Sequence, residues 1–96
     1  MFVTLWEFEV KSASEELFER AYGADGAWAQ LFRRDARYLG TRFRRDVGAA
    51  RVYVTMDMWE SRAAYREFRE KYAAEYEKLD RECAGMTMRE KGLGRL

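Results

Sequence analysis

The segment Arg51-Val52-Tyr53-Val54-Thr55-Met56-Asp57-Met58-Trp59 is apolar and β-branched around a single carboxylate. A carboxylate in such a strand is costly unless it is paired or hydrogen-bonded. Burial also raises its pKa, which makes it either a base or an orienter of a substrate hydroxyl. Asp57 is therefore the candidate catalytic residue. Its structural alternatives are an ion pair with Arg42 or Arg44 from a neighbouring strand, or a cap on the helix that follows. Arg42 is in turn either that ion-pair partner or the group that binds an anionic substrate oxygen. Trp6, Trp28 and Trp59 supply flat walls for an aromatic ligand, or else they fill the core. Tyr22, Tyr53 and Tyr72 offer hydroxyls to a ligand, or are half-buried rings whose hydroxyls reach the surface or a backbone carbonyl.

What the chain lacks narrows the chemistry further. It contains no histidine, which removes the commonest general base, metal ligand and pH switch together. The single cysteine, Cys83, cannot form an intramolecular disulfide, a cysteine-type zinc site or a Cys–His pair. Its place on an apolar helix face makes it a packing residue. The carboxylates do not converge on a metal site, and the helical Glu67-x-x-Glu70 reads as solvated. Gly23-x-x-Gly26 lacks the lysine and the strand-to-helix context of a phosphate loop. No metal and no other cofactor is expected.

The chain has 96 residues, the size of one domain spanning 1–96. It is 48% hydrophobic and 36% charged and has no proline, a balance foreign to disordered, collagenous or linker sequences. No apolar run approaches the ~20 residues of a membrane span. Met1 to Glu7 has none of the features of a signal peptide, so the cytoplasm is the expected compartment. The net charge of +1 is unevenly spread. Residues 1–32 are acidic, residues 33–51 carry seven arginines against two aspartates, and the remainder balances. The arginine-rich middle could meet phosphate or an acidic ligand, or pair with the acidic first helix.

These residues must be positioned by an alternation of strands and helices. Residues 2–10 alternate as a strand, with Phe2, Thr4, Trp6, Phe8 and Val10 on one face. Ser12 stands three residues before Glu15, a capping-box spacing that opens a helix with the apolar stripe Leu17, Phe18, Ala21 and Tyr22. Gly23 stops it, and Trp28, Leu31 and Phe32 mark a second short helical piece. Alternation resumes over 37–44, turns over 46–50, and continues over 51–59, where Tyr53, Thr55, Asp57 and Trp59 share a face. Ser61 caps a long helix whose apolar face is Tyr65, Phe68, Tyr72, Tyr76, Leu79 and Cys83. Gly85 ends it, and 86–90 form a last strand before a glycine-containing tail.

The order is βαββαβ, an α+β fold of the ferredoxin-like type. It implies a four-stranded antiparallel sheet, both helices on one face, and the first and third strands side by side at its centre. The third strand is apolar on both faces, as is the start of the first. A solvated second face would alternate to polar residues, so a homodimer packed sheet to sheet is expected. The same strand order underlies the RNA-recognition motif, but Arg51 to Met56 lacks that module's glycines and second aromatic, and the net charge is near zero. Nucleic acid is not an expected partner.

Trp6-x-Phe8, Phe18-Glu19-x-x-Tyr22-Gly23-x-x-Gly26-x-Trp28-x-x-Leu31-Phe32, Tyr38-Leu39-Gly40-Thr41 and Tyr53-x-Thr55-x-Asp57-x-Trp59-x-Ser61 resemble the antibiotic-biosynthesis-monooxygenase-like group of the dimeric α+β barrel superfamily. The resemblance spans nearly the whole chain. It implies a ligand cavity between each sheet and its helices. It also implies a cofactor-independent monooxygenase, in which the anion of an electron-rich aromatic polyketide itself passes an electron to oxygen. Such chemistry asks for a dry aromatic pocket, a hydrogen bond to the phenolate and a base. Haem-degrading relatives hold iron through a helical histidine, which this chain lacks. The alternative function is a non-catalytic dimer of the same fold that binds a small apolar molecule or only assembles.

Overall fold

The computed structural model describes residues 1–95. Strand β1 (Phe2–Val10) leads through a 3-10 turn to helix α1 (Glu15–Tyr22) and the short helix α2 (Ala27–Phe32). Strands β2 (Tyr38–Arg45) and β3 (Val52–Trp59) form a hairpin, followed by helices α3 (Arg62–Lys71) and α4 (Ala73–Cys83) and strand β4 (Thr87–Arg95). The sheet order is β2-β3-β1-β4, antiparallel throughout. This is the ferredoxin-like α+β arrangement, with β1 and β3 at its centre. The last strand extends well past residue 90, so the expected tail is strand as far as Arg95, and Leu96 lies outside the described residues.

Strand alternation decides which side chains meet the helices. Phe2, Phe8 and Val10 from β1 join Tyr53 and Trp59 from β3 in one core with Phe18, Tyr22, Trp28, Phe32 and Phe68 from the helices. The centre of this core is aromatic. Phe18 stacks on Tyr22 at 4.3 Å between ring centroids, and Phe68 meets Trp59 at 4.9 Å. Leu17 departs from the expected stripe and is half exposed, because α1 covers the sheet only with its Phe18–Ala21–Tyr22 side.

The helix ends follow local chemistry. Ser61 Oγ accepts a hydrogen bond from the Ala64 N–H at 3.0 Å, the expected N-cap. The Ser12–Glu15 capping box does not form. Residues Ser12–Ser14 wind as a 3-10 turn, and α1 starts at Glu15 with no side-chain cap. The expected long second helix bends at Tyr72, which has φ −108° and ψ 29°. The Tyr72 N–H to Phe68 and Tyr76 N–H to Tyr72 carbonyl bonds, both 2.9 Å, carry the chain across the bend. Gly26 allows α2 to fold tightly against α1: a Cβ there would sit 2.5 Å from the Arg20 carbonyl oxygen and 2.6 Å from that of Ala21.

The opposite sheet face carries Val3 and Val52, both buried, and Leu5, Val54, Met56 and Met58, all partly exposed. Arg42 and Arg44 of β2 lie on this face, in register with Met56 and Val54. The arginine-rich segment is partly neutralised across elements, with Arg45 paired to Glu15 at 3.1 Å and Arg37 to Glu67 at 2.6 Å. No helix is long and apolar enough to cross a membrane among the described residues.

Two substitutions separate packing from capping. Phe68→Ala, in the fully buried aromatic centre, is expected to lower unfolding stability by about 3–5 kcal/mol in urea denaturation. Ser61→Ala is expected to cost only about 1 kcal/mol.

Candidate functional site

A cavity of about 370 Å³ opens between the sheet and the helices, within the range of ordinary small-molecule sites. The middle of the sheet forms its floor, where Thr41, Thr55 and Asp57 project from β2 and β3. Phe8 from β1 and Tyr22, Trp28, Phe32 and Tyr76 from the helices wall it. Trp6, 42% exposed, stands at its edge over Gly92. The exposed side chains Arg69, Asp80 and Glu90 form a charged mouth.

The walls are held by aromatic packing. Trp28 meets Tyr76 edge-on at 4.8 Å and Tyr22 at 5.9 Å, so α1, α2 and α4 share one contact. Arg69 is clamped at the mouth, its guanidinium 3.8 Å above the Tyr76 ring and donating to the Tyr65 hydroxyl at 2.9 Å. The indole N–H of Trp28 is buried with no hydrogen-bond partner among the described residues.

Asp57 sets the electrostatics of the floor. Thr41 Oγ1 donates to Asp57 Oδ1 at 2.6 Å, and the Tyr38 hydroxyl closes on the same Thr41 oxygen. No ion pair to Asp57 forms among the described residues. Burial pushes its pKa up from 3.8 to about 6, and the Thr41 hydrogen bond opposes that rise. Burial also raises Tyr22 and Tyr76 far above neutrality, so both remain hydroxyl donors. Glu90 is raised by burial and by the nearby Asp80. The charge of Asp57 thus changes just below neutral pH, which suits a general base. Among the described residues no cluster of three His, Cys, Asp or Glu is placed to hold a metal ion.

Of the residues singled out in the sequence, the cavity gathers Asp57, Trp6, Tyr22 and Trp28. Arg42, Tyr53 and Trp59 stand elsewhere. Arg42 is exposed on the opposite face, one register position from Asp57, so it neither pairs with that carboxylate nor reaches the cavity. Tyr53 is fully buried at the far end of β3, its hydroxyl donating to Glu19 at 2.6 Å with Glu15 at 3.0 Å. Trp59 is fully buried at the other end, among Phe32, Tyr38, Tyr65 and Phe68. Tyr72 packs on Phe68 under Arg34. Sequence reasoning assigned no site role to Thr41, Arg69, Tyr76 or Glu90. Helical spacing carried a partial signal, since 69, 76 and 80 fall on one side of the bent helix.

No protein-family model and no curated protein matches this sequence. Solved structures do match. SnoaB from Streptomyces nogalater, a cofactor-independent oxygenase solved as a point mutant, superposes with a TM-score of 0.80 at 17% identity over 99% of this chain and 89% of that one. The chain is antibiotic-biosynthesis-monooxygenase-like in fold. A protein of Nitrosomonas europaea provisionally named an antibiotic biosynthesis monooxygenase gives 0.75 at 18% identity, over 100% and 96% of the two chains. Another from Deinococcus radiodurans, named in the same way, gives 0.78 at 10% identity, over 100% and 90%. These likenesses concern the fold; the cavity and its carboxylate belong to this chain's own residues.

A largely desolvated carboxylate with no ion pair among the described residues has a cost that pH exposes. The pKa of Asp57 is higher folded than unfolded, so the folded state holds the extra proton between about pH 4 and pH 6. The stability linked to Asp57 is complete below about pH 4 and lost as pH rises through about 6. Asp57→Asn is therefore expected to stabilise the protein by roughly 1–3 kcal/mol at pH 8 and to leave stability nearly unchanged at pH 4. Urea denaturation at the two pH values measures the difference.

Proposed function

We propose that the chain is a small cofactor-independent monooxygenase that oxidises an aromatic, polyketide-like phenol in the cavity above Asp57. The observation that carries this reading is the isolated carboxylate, raised to about 6, on the floor of an aromatic-walled cavity. The aromatic walls take the flat rings, and Asp57 accepts the hydroxyl proton, leaving an electron-rich anion. That anion reduces O₂ directly. For a tricyclic hydroxyanthrone the balance closes without a cofactor: the ring CH₂ loses both hydrogens, one oxygen atom becomes the new carbonyl, and the other leaves as water. The likeness in fold to a cofactor-independent oxygenase supports the reaction class.

The functional unit in this reading is a cytoplasmic homodimer of single-domain chains. The half-covered Leu5, Val54, Met56 and Met58 of one outer face meet the same surface of a second copy. Met56→Glu is expected to convert the dimer to a monomer in light scattering at micromolar concentration; a wild-type monomer would contradict the pairing.

Oxygen uptake with a hydroxyanthrone tests the reaction. The wild-type rate is expected to rise with pH through about 6, and Asp57→Asn to lose roughly 100-fold or more in kcat while still binding the phenol. The second reading, a non-catalytic binder, rests on the same aromatic walls. It predicts saturable binding of the phenol with no uptake above the uncatalysed rate.

A further inference from the structure

Tyr38 and Thr41 are three residues apart in β2. On a regular strand that odd spacing would point their side chains to opposite faces of the sheet. Here both hydroxyls meet on the cavity side, because the β2–β3 register shifts between Tyr38 and Gly40. Tyr38 pairs with Trp59 while Gly40 already pairs with Met58, so one extra residue is taken up at Leu39. Gly40 has φ +136°, a conformation closed to other residues without strain. The bulge thus places Thr41 directly opposite Asp57.

We propose that this bulge is a positioning device: it assembles the Tyr38–Thr41 hydroxyl chain onto Asp57 Oδ1, holds the carboxylate in its ionised form, and leaves Oδ2 to take the ligand's proton. The inference rests on the reading of Asp57 as the base of the cavity. Thr41 Oγ1 donates to Oδ1, so its own lone pairs are free to accept from Tyr38. A donor that is itself an acceptor in a chain is polarised and donates more strongly. No hydrogen bond reaches Oδ2 among the described residues, and that oxygen is not sealed from the cavity. A hydroxyl ligand at the floor therefore finds an open carboxylate oxygen on Asp57.

The other titratable groups around the site do not replace this chain. Tyr22 on α1, Arg69 on α3, Tyr76 and Asp80 on α4 and Glu90 on β4 line the same cavity, yet none of them bonds to Asp57. Only the Thr41 hydrogen bond works against burial at Asp57. Across the sheet on its other side Asp57 faces Thr4 of β1, which makes no hydrogen bond to it among the described residues. Tyr38 and Thr41 are accordingly positioning residues, acting through Asp57.

The test is the carboxyl carbon NMR titration of Asp57 in the full chain, compared among variants without any substrate. Thr41→Val is expected to move the midpoint upward by about one unit, a tenfold change in the ionised fraction below it. Thr41→Ser, which restores the hydroxyl, should titrate like the wild type. Tyr38→Phe leaves Thr41 in place and should move the midpoint upward by less. If Thr41→Val titrates with the wild type, the proposal is overturned; if only Tyr38→Phe does, Tyr38 is removed from it. Should Thr41→Val fail to fold, Tyr38→Phe and Thr41→Ser still decide, since an upward shift in the first and none in the second is required. Absence of oxygen uptake would count against the oxidative function and leave this titration unaffected.

Discussion

A carboxylate largely withdrawn from water, with no counter-ion among the described residues, is the constraint on which this architecture turns. Asp57 sits between Thr4 of β1 and Thr41 of β2 on a largely aromatic side of the sheet, and the Thr41 hydroxyl offsets its desolvation. In a chain with eighteen lysines and arginines, an ion pair would have been easy to supply. Several arginines instead neutralise carboxylates around the periphery or line the opposite face of the sheet, and Arg69 is held at the cavity mouth on the Tyr76 ring. Keeping them off the floor leaves Asp57 with a pKa near that of a useful base, at a cost in stability that the large aromatic core absorbs.

Aromatic packing and the cavity are two results of one distribution of rings. Phe18, Phe68, Tyr53 and Trp59 interlock at the two ends of the helix-facing side and are fully buried. Between them Trp28, Tyr22, Phe8 and Tyr76 pack edge-on and tilted against one another, leaving a hollow over the middle of β3. Rigid side chains with few rotamers keep such a hollow open where flexible aliphatics would fill it. The bend at Tyr72 brings Arg69 and Tyr76 together at the mouth although they lie in separate helical segments.

Most of the fold could be read from period. The alternation of two in β3 put Asp57 on one face with Tyr53, Thr55 and Trp59 without saying which face meets the helices, and the spacing of Phe68 and Tyr76 gave the helix its inner face. Period alone could not say which part of that face is hollow. An eight-residue strand spans about 26 Å, so Tyr53 and Trp59 share a face with Asp57 yet lie under different helices. Arg42 shows a different limit. Its placement beside Asp57 assumed a plain hairpin, whereas the bulge at Leu39–Gly40 brings Thr41 opposite Asp57 and sends Arg42 to the far side. Gly40 was the visible trace of that irregularity. The capping box failed for a local reason, since the 3-10 turn Ser12–Ser14 moved the helix start beyond Ser12's reach.

The three tryptophans offer the most direct test of whether the cavity receives an aromatic ligand. Trp6 and Trp28 line it, and Trp59 is sealed in the core at the end of β3. Their indole N–H signals in a nitrogen–proton NMR spectrum are three separate reporters within one molecule. Titration with a tricyclic phenol should shift the Trp6 and Trp28 signals together, with a common saturation curve, and leave Trp59 in place. A shift of Trp59 alone, or no shift of any indole at millimolar phenol, would contradict the assignment of this cavity as the site.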